Sequence, residues 1–183
     1  MYDIIIRNGK IVDGSGRAGF LGDLGIIDER ITFVGKRDGA VGQREIDATG
    51  KTVCPGIVDI HSHADLTLYR DDHYKILEPL IRQGITTFIG GNCGMAMAPI
   101  SEKHRQEIKD MLEVFTRINF ENVIQWRGMG EYFDFERIAP RGDFFDSEVF
   151  PDGIHYVIIN GKIVLEEGNF NPFPLPGKLI RNS

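Results

Sequence analysis

Two histidines and a cysteine are the residues whose types and spacing point to chemistry. His61-Ser62-His63 directly follows the apolar run Gly56-Ile57-Val58-Asp59-Ile60. Such a run reads as a short strand buried on both faces. Residues i and i+2 of a strand point to one face, so the two imidazoles are expected to converge, with Cα atoms about 6–7 Å apart. That spacing suits one metal ion, and at the C-terminal end of a parallel strand the site stays open to a substrate. A bare HxH is common in surface loops. Pro55-Gly56 before this one, and Asp65 just after it, favour the metal. Cys93 follows a second apolar run, Ile85 to Ile89, in Gly91-Asn92-Cys93-Gly94. A thiolate is a good zinc ligand. Taken alone, a single cysteine reads more readily as a small buried hydrophobe. Adjacent strand ends of a parallel sheet lie about 5 Å apart, which puts Cys93 within reach of a metal held by His61 and His63.

The other chemically capable residues read as structural. Cys54 precedes Pro55 at the opposite end of the strand and is assigned to packing. His73 and His104 fall on expected helices and are taken as solvated, and His155 has no metal-ligand spacing around it. Gly14-Ser15-Gly16-Arg17-Ala18-Gly19 matches GxGxxG, but no helix pattern follows it, so the dinucleotide mechanism fails. Trp126, the single tryptophan, is assigned to the core.

The elements that must position these residues come in two kinds. Residues 1 to about 53 read as an antiparallel β-layer. Asp3 to Arg7 and Lys10 to Val12 flank Asn8-Gly9, which predicts a type I′ hairpin turn. Leu24 to Ile27 and Ile31 to Gly35 flank a second tight turn at Asp28-Glu29-Arg30. The two apolar runs are then followed by helical patterns. One spans about Asp71 to Gln83, with Tyr74, Leu77, Leu80 and Ile81 on one face, Pro79 inside and Gly84 as its stop. Pro79 is expected to kink it. The other starts near Ser101 and carries Ile108, Met111, Leu112, Phe115 and Ile118. Strand, helix, strand, helix is the alternation of a parallel sheet. A short helix is predicted from Gly128 to Arg137, and residues 138–149 read as a linker. Strand character then returns, and Asn160-Gly161-Lys162-Ile163-Val164 repeats Asn8-Gly9-Lys10-Ile11-Val12 letter for letter. The simplest account is that both chain ends build one β-layer, with the βα part inserted between them.

Composition limits the partners. The 183 residues are 26 % charged and 42 % apolar, an ordinary globular balance. With 21 basic against 27 acidic residues the net charge is -6, and no Lys/Arg cluster forms the basic patch of a nucleic-acid binder or of a protein drawn to anionic membranes. No apolar run of about 20 residues is present to span a membrane. The N-terminus lacks a basic segment before an apolar stretch, which makes the cytoplasm the default and the two cysteines free thiols. The length falls short of the about 250 residues of a closed (β/α)₈ barrel.

Several of these segments match a known pattern. Tyr2-Asp3-Ile4-Ile5-Ile6-Arg7-Asn8-Gly9, Asp47-Ala48-Thr49-Gly50 and Pro55-Gly56-Ile57-Val58-Asp59-Ile60-His61-Ser62-His63 resemble the opening of the amidohydrolase superfamily. Gly91-Asn92-Cys93-Gly94 with Ala98-Pro99 narrows the resemblance to the N-acyl-D-amino-acid deacylases, or D-aminoacylases. The stretches 151–154, 157–161 and 174–181 are similar to that family's ending. The resemblance implies a metal-bearing (β/α)₈ barrel beside a β-sandwich built from both chain ends. It also implies His61 and His63 as the HxH ligands, Cys93 as the cysteine ligand, and one or two zinc ions. The implied reaction is hydrolysis of the amide bond of a small N-acyl-D-amino acid.

The expected fold class is therefore α/β plus β. Residues 1–55 and 150–183 would form the sandwich, 56–137 a partial barrel, and 138–149 a junction. At about 30 residues per βα unit, the insert holds two to three units, not eight. The family's further histidine ligands and catalytic aspartate have no counterpart; Asp143 and Asp146 flank the junction but sit at no strand end. Two other outcomes stay open: a non-catalytic remnant that oligomerises to cover an open barrel edge, and an amidohydrolase acting on a different C–N bond.

Overall fold

A computed structural model describes residues 1–36, 38–68, 73–116, 128, 131 and 153–171. These fall into two compact units, one drawn from Met1–Ile57 and Asp152–Ser183, the other from Val58–Pro151. No helix among the described residues is long and apolar enough to cross a membrane.

The first unit is built on β1 (Tyr2–Ile11). Its neighbours are β2 (Phe20–Ile27), β3 (Arg30–Gly35), β4 (Gly42–Asp47) and β5 (Thr52–Val53). The sheet order is β3-β2-β1-β4, with β5 also on β1. β2 pairs antiparallel to β1, but β4 and β5 pair parallel to it, so the layer is mixed where the sequence predicted an antiparallel one. The C-terminal strands β8 (Tyr156–Ile159), β9 (Lys162–Glu166) and β10 (Asn169–Phe170) form a separate antiparallel sheet. Ile4, Leu24, Ile26 and Ile46 from the first sheet share one apolar cluster with Tyr156, Ile158 and Ile163 from the second. Arg44 bonds Glu166 across the two segments, and Lys51 Nζ lies 3.8 Å from a Glu167 carboxylate oxygen. The two end segments thus pack against each other as two separate sheets, not as the single β-layer that the repeat predicted.

The repeated pentapeptide has two different fates. Asn160-Gly161 is the two-residue loop of the β8–β9 hairpin, with Ile159 opposite Lys162 and φ of 45° and 73° at the loop residues. These left-handed angles are the type I′ geometry that Asn-Gly favours. Asn8-Gly9 is no hairpin turn. It lies inside the continuous β1 as a bulge, where three steps along β1 (Ile6 to Gly9) match two along β2 (Leu24 to Gly22). Asn8 takes a φ of 60°, its N–H bonds Asp23 Oδ1 at 2.9 Å and its Nδ2 bonds Asp47 Oδ1 at 3.2 Å. Partners on both sides of β1 hold it extended, and tertiary pairing overrides the local turn signal. The second predicted turn is present, as Asp28-Glu29 between Ile27 and Arg30.

In the second unit, β6 (Ile57–Asp59) pairs only with β7 (Ile85–Phe88) among the described strands. Ile89 N–H donates to Asp59 O at 2.9 Å, and Ser62 N–H donates to Ile89 O at 3.1 Å. Ile89 thus bonds both Asp59 and Ser62, extending the β6–β7 pairing into the histidine loop. The expectation that this strand is buried on both faces fails: Val58 is 52 % exposed and Ile60 73 %. Two strands alone do not cover them. The first helix, α1 (His73–Arg82), runs through Pro79 and stops at Gly84, whose N–H bonds Ile81 O at 2.8 Å. The second, α2 (Arg105–Thr116), follows a 3₁₀ turn at Glu102–His104. Leu112 of α2 is fully buried with Leu66, Met97, Ala98 and Ile100, and Ile108 and Met111 pack against them. The Phe115 side chain, Ile118, Trp126, the helix expected up to Arg137, the 138–149 junction with Asp143 and Asp146, and residues 174–181 lie outside the described residues.

Candidate metal centre

β6 ends at Asp59, so His61 and His63 are not strand residues as the spacing argument assumed. Short side-chain turns hold their loop. His61 N–H donates to Asp59 Oδ1 at 3.1 Å, and Ala64 N–H donates to Ser62 Oγ at 3.2 Å. A 3₁₀ turn then runs from Ala64 to Thr67 and buries Leu66. The rings of His61 and His63 nonetheless converge, with centroids 5.7 Å apart.

Cys93 lies beyond β7, in a tight turn over Asn92–Gly94. Its own φ is +58°, a left-handed conformation that a residue with a Cβ rarely takes. The reading of this cysteine as a buried hydrophobe is overturned, because Cys93 is exposed. Cys54, assigned to packing, is exposed as well. His104 and His155 pair with Glu107 and Glu167 through Nδ1, at 2.8 and 2.9 Å, and contribute nothing to this centre.

His61 Nε2 stands 3.3 Å from Cys93 Sγ. One ligand atom from each of His61, His63 and Cys93 lies within 4.8 Å of the others. Around a tetrahedral zinc, a nitrogen and a sulfur ligand sit about 3.5 Å apart, given Zn–N near 2.0 Å and Zn–S near 2.3 Å. The donor set and its spacing fit that ion. A second observation agrees: His63 Nδ1 is buried and has no hydrogen-bond partner among the described residues. A buried polar atom without a partner is costly, and each such atom calls for an explanation. His61 is exposed and His63 only partly covered, so a bound ion would keep an open face.

Two residues beside these three tie the two loops together. Asp65 Oδ2 accepts Gly91 N–H at 3.0 Å, and burial pushes the Asp65 carboxyl above the ordinary carboxylate range. Asn92 Nδ2 donates to Ile89 O at 2.7 Å and to Ser62 O at 3.1 Å. Sequence reasoning noted Asp65 as a neighbour of the histidines but missed these bonds. The available signal was weak: an aspartate two residues after His63, and an asparagine beside a pair of glycines.

No family model matches the chain. Individual proteins do. The D-aminoacylase of Alcaligenes xylosoxydans xylosoxydans is 32 % identical over 139 residues, covering 76 % of this chain and 27 % of that protein. The N-acyl-D-glutamate deacylase of the same organism is 39 % identical over 97 residues, 53 % of this chain and 19 % of that one. Among solved structures, a D-aminoacylase with a binuclear metal centre superposes with a TM-score of 0.51 at 38 % identity, covering 56 % of this chain and 21 % of that one. An N-acyl-D-glutamate deacylase from Bordetella bronchiseptica, complexed with zinc and a phosphonate inhibitor, gives 0.50 at 39 %, covering 54 % and 20 %. The chain is a homologue of the D-aminoacylases and N-acyl-D-amino-acid deacylases of the amidohydrolase superfamily, and it spans about a quarter of the length of the curated relatives it matches.

Proposed function

We propose that this chain carries the metal-binding opening of a D-aminoacylase-type amidohydrolase, which hydrolyses the amide bond of N-acyl-D-amino acids. The convergence of His61, His63 and Cys93 from two separate loops supports this reading above all else. In this reading the three residues hold zinc, as one or two ions. Bound zinc supplies a water acidic enough to ionise near neutral pH and polarises the amide carbonyl. The two imidazoles act as neutral donors and Cys93 as the thiolate. The exposure of His61 and Cys93 leaves the substrate's approach clear. No described residue is assigned the proton transfer to the leaving amine. Residues 1–55 and 150–183 are read as the family's β-sandwich and 56–137 as the start of its barrel. A second copy of the chain is the proposed cover for exposed Val58, Ile60 and Ile89.

The test is zinc content, thermal stability and release of D-methionine from N-acyl-D-methionine, measured on the purified chain. Zinc at about a hundred times its dissociation constant adds about 2.7 kcal/mol, roughly 5–11 °C in Tm for a chain of this size. A chain that retains no zinc, with a Tm unmoved by zinc in both wild type and His61→Ala, sinks the metal assignment. Zinc binding with no D-methionine released sinks the catalytic one. A monomer by light scattering removes the second copy.

A further inference from the structure

The three ligands come from two loops, and something must fix the distance between those loops. Covalent continuity does not, since His63 and Cys93 are joined through α1 and β7. Beside the backbone bond from Ser62 N–H to Ile89 O, three side-chain contacts do the joining. Asp65 Oδ2 accepts Gly91 N–H from across the gap at 3.0 Å. Asn92 Nδ2 reaches back at 3.1 Å to the carbonyl of Ser62, the residue between the two histidines. Gly90 lies flat against Asp65: a Cβ there would stand 2.5 Å from Asp65 Cγ and 2.6 Å from Asp65 Cβ. Both bonds adjoin ligands, Asp65 two residues after His63 and Asn92 directly before Cys93.

We propose that Asp65 and Asn92 form a latch that fixes the spacing of His61 and His63 from Cys93, with Gly90 as the clearance that lets it close. They act as positioning residues, outside the group formed by His61, His63 and Cys93. The latch deepens the zinc reading and rests on it only for its consequence in metal affinity. Outer partners of metal ligands typically carry about 10–100-fold in affinity. Asp65→Ala and Asn92→Asp each remove hydrogen bonds at small change in bulk. Asp65→Asn keeps an oxygen that can accept Gly91 N–H. Gly90→Ala keeps every bonding group but forces the loops apart.

The experiment uses the whole chain in a Cys54→Ser background, with folding checked by circular dichroism. Cobalt is titrated in and the near-ultraviolet thiolate-to-cobalt band is followed. Asp65→Ala, Asn92→Asp and Gly90→Ala are expected to weaken cobalt binding by about 10–100-fold and to diminish the band, and Asp65→Asn to restore both. A second readout needs no metal. Alkylation of Cys93 by iodoacetamide is helped by an imidazole within hydrogen-bond reach of the thiol. It should slow several-fold in the three disrupting variants, towards the His61→Ala rate, and recover in Asp65→Asn. Wild-type alkylation rates in folded Asp65→Ala and Gly90→Ala overturn the latch. A wild-type chain with no thiolate–cobalt band overturns the zinc reading instead, and the alkylation series still decides the latch.

Discussion

Gly161→Ala isolates the contact that closes the first unit. Gly161 has a φ of 73°, and an added Cβ would fall inside van der Waals contact of the Asp28 carbonyl oxygen in the β2–β3 turn. Two costs follow. The left-handed backbone penalises any Cβ by about 1–2 kcal/mol. Relieving the clash displaces Asp28, whose N–H bonds Asp3 Oδ2 at 2.6 Å; losing that bond costs about 1 kcal/mol. The expected sum is about 2–3 kcal/mol. Gly168→Ala is the internal control, because Gly168 has a φ of 81° but nothing within 4 Å of its added Cβ. It should cost the backbone share alone, about 1–2 kcal/mol. Equilibrium urea unfolding followed by far-ultraviolet circular dichroism measures both. Equal losses in the two variants would refute the docking of the C-terminal hairpin on the β2–β3 turn.

Two further outcomes are expected. Leu112→Ala empties a fully buried position and should cost about 2–5 kcal/mol in urea unfolding; because Leu66 of the same cluster lies just past His63, it should also weaken zinc retention. Asp13 accepts hydrogen bonds from the Ser15 hydroxyl and N–H and from Arg17, which hold its carboxyl down at about 2 against an ordinary 3.8. A group depressed in this way adds stability above pH 3.8 that is lost as pH falls towards 2. Carbon NMR titration should show that inflection and its rise in Ser15→Ala; an unchanged inflection would refute the hydroxyl's role.

The histidine pair was legible because HxH after an apolar run is a local pattern, though its convergence comes from side-chain turns at Asp59 and Ser62 and not from strand alternation. Cys93 was weak on its own residues and gained weight only from its motif. The bonds that tie its turn to the histidine loop, from Asn92 to Ser62 and from Gly91 to Asp65, cross a gap that no local window contains. Asn8-Gly9 failed for a related reason. Its letters specify a turn wherever the chain is free to reverse, as at Asn160-Gly161, but strands on both flanks of β1 keep it extended. The same limit hid the parallel pairing of β4, since direction in a sheet is set by connections and not by strand composition.

The shared body of the two end segments bears on how the protein is made. Arg44 and Glu166 are partners separated by 122 positions, so the first sheet is covered only once the second, separate sheet has been made. During synthesis the segment carrying His61, His63 and Cys93 emerges in between. It can form its two loops while the N-terminal strands still lack β8 and β9. Contacts this distant in sequence are slow to close. Until β8 and β9 dock, the apolar face of Ile4, Leu24, Ile26 and Ile46 lacks the cover of Tyr156, Ile158 and Ile163, and exposed apolar surface of this kind is prone to wrong association.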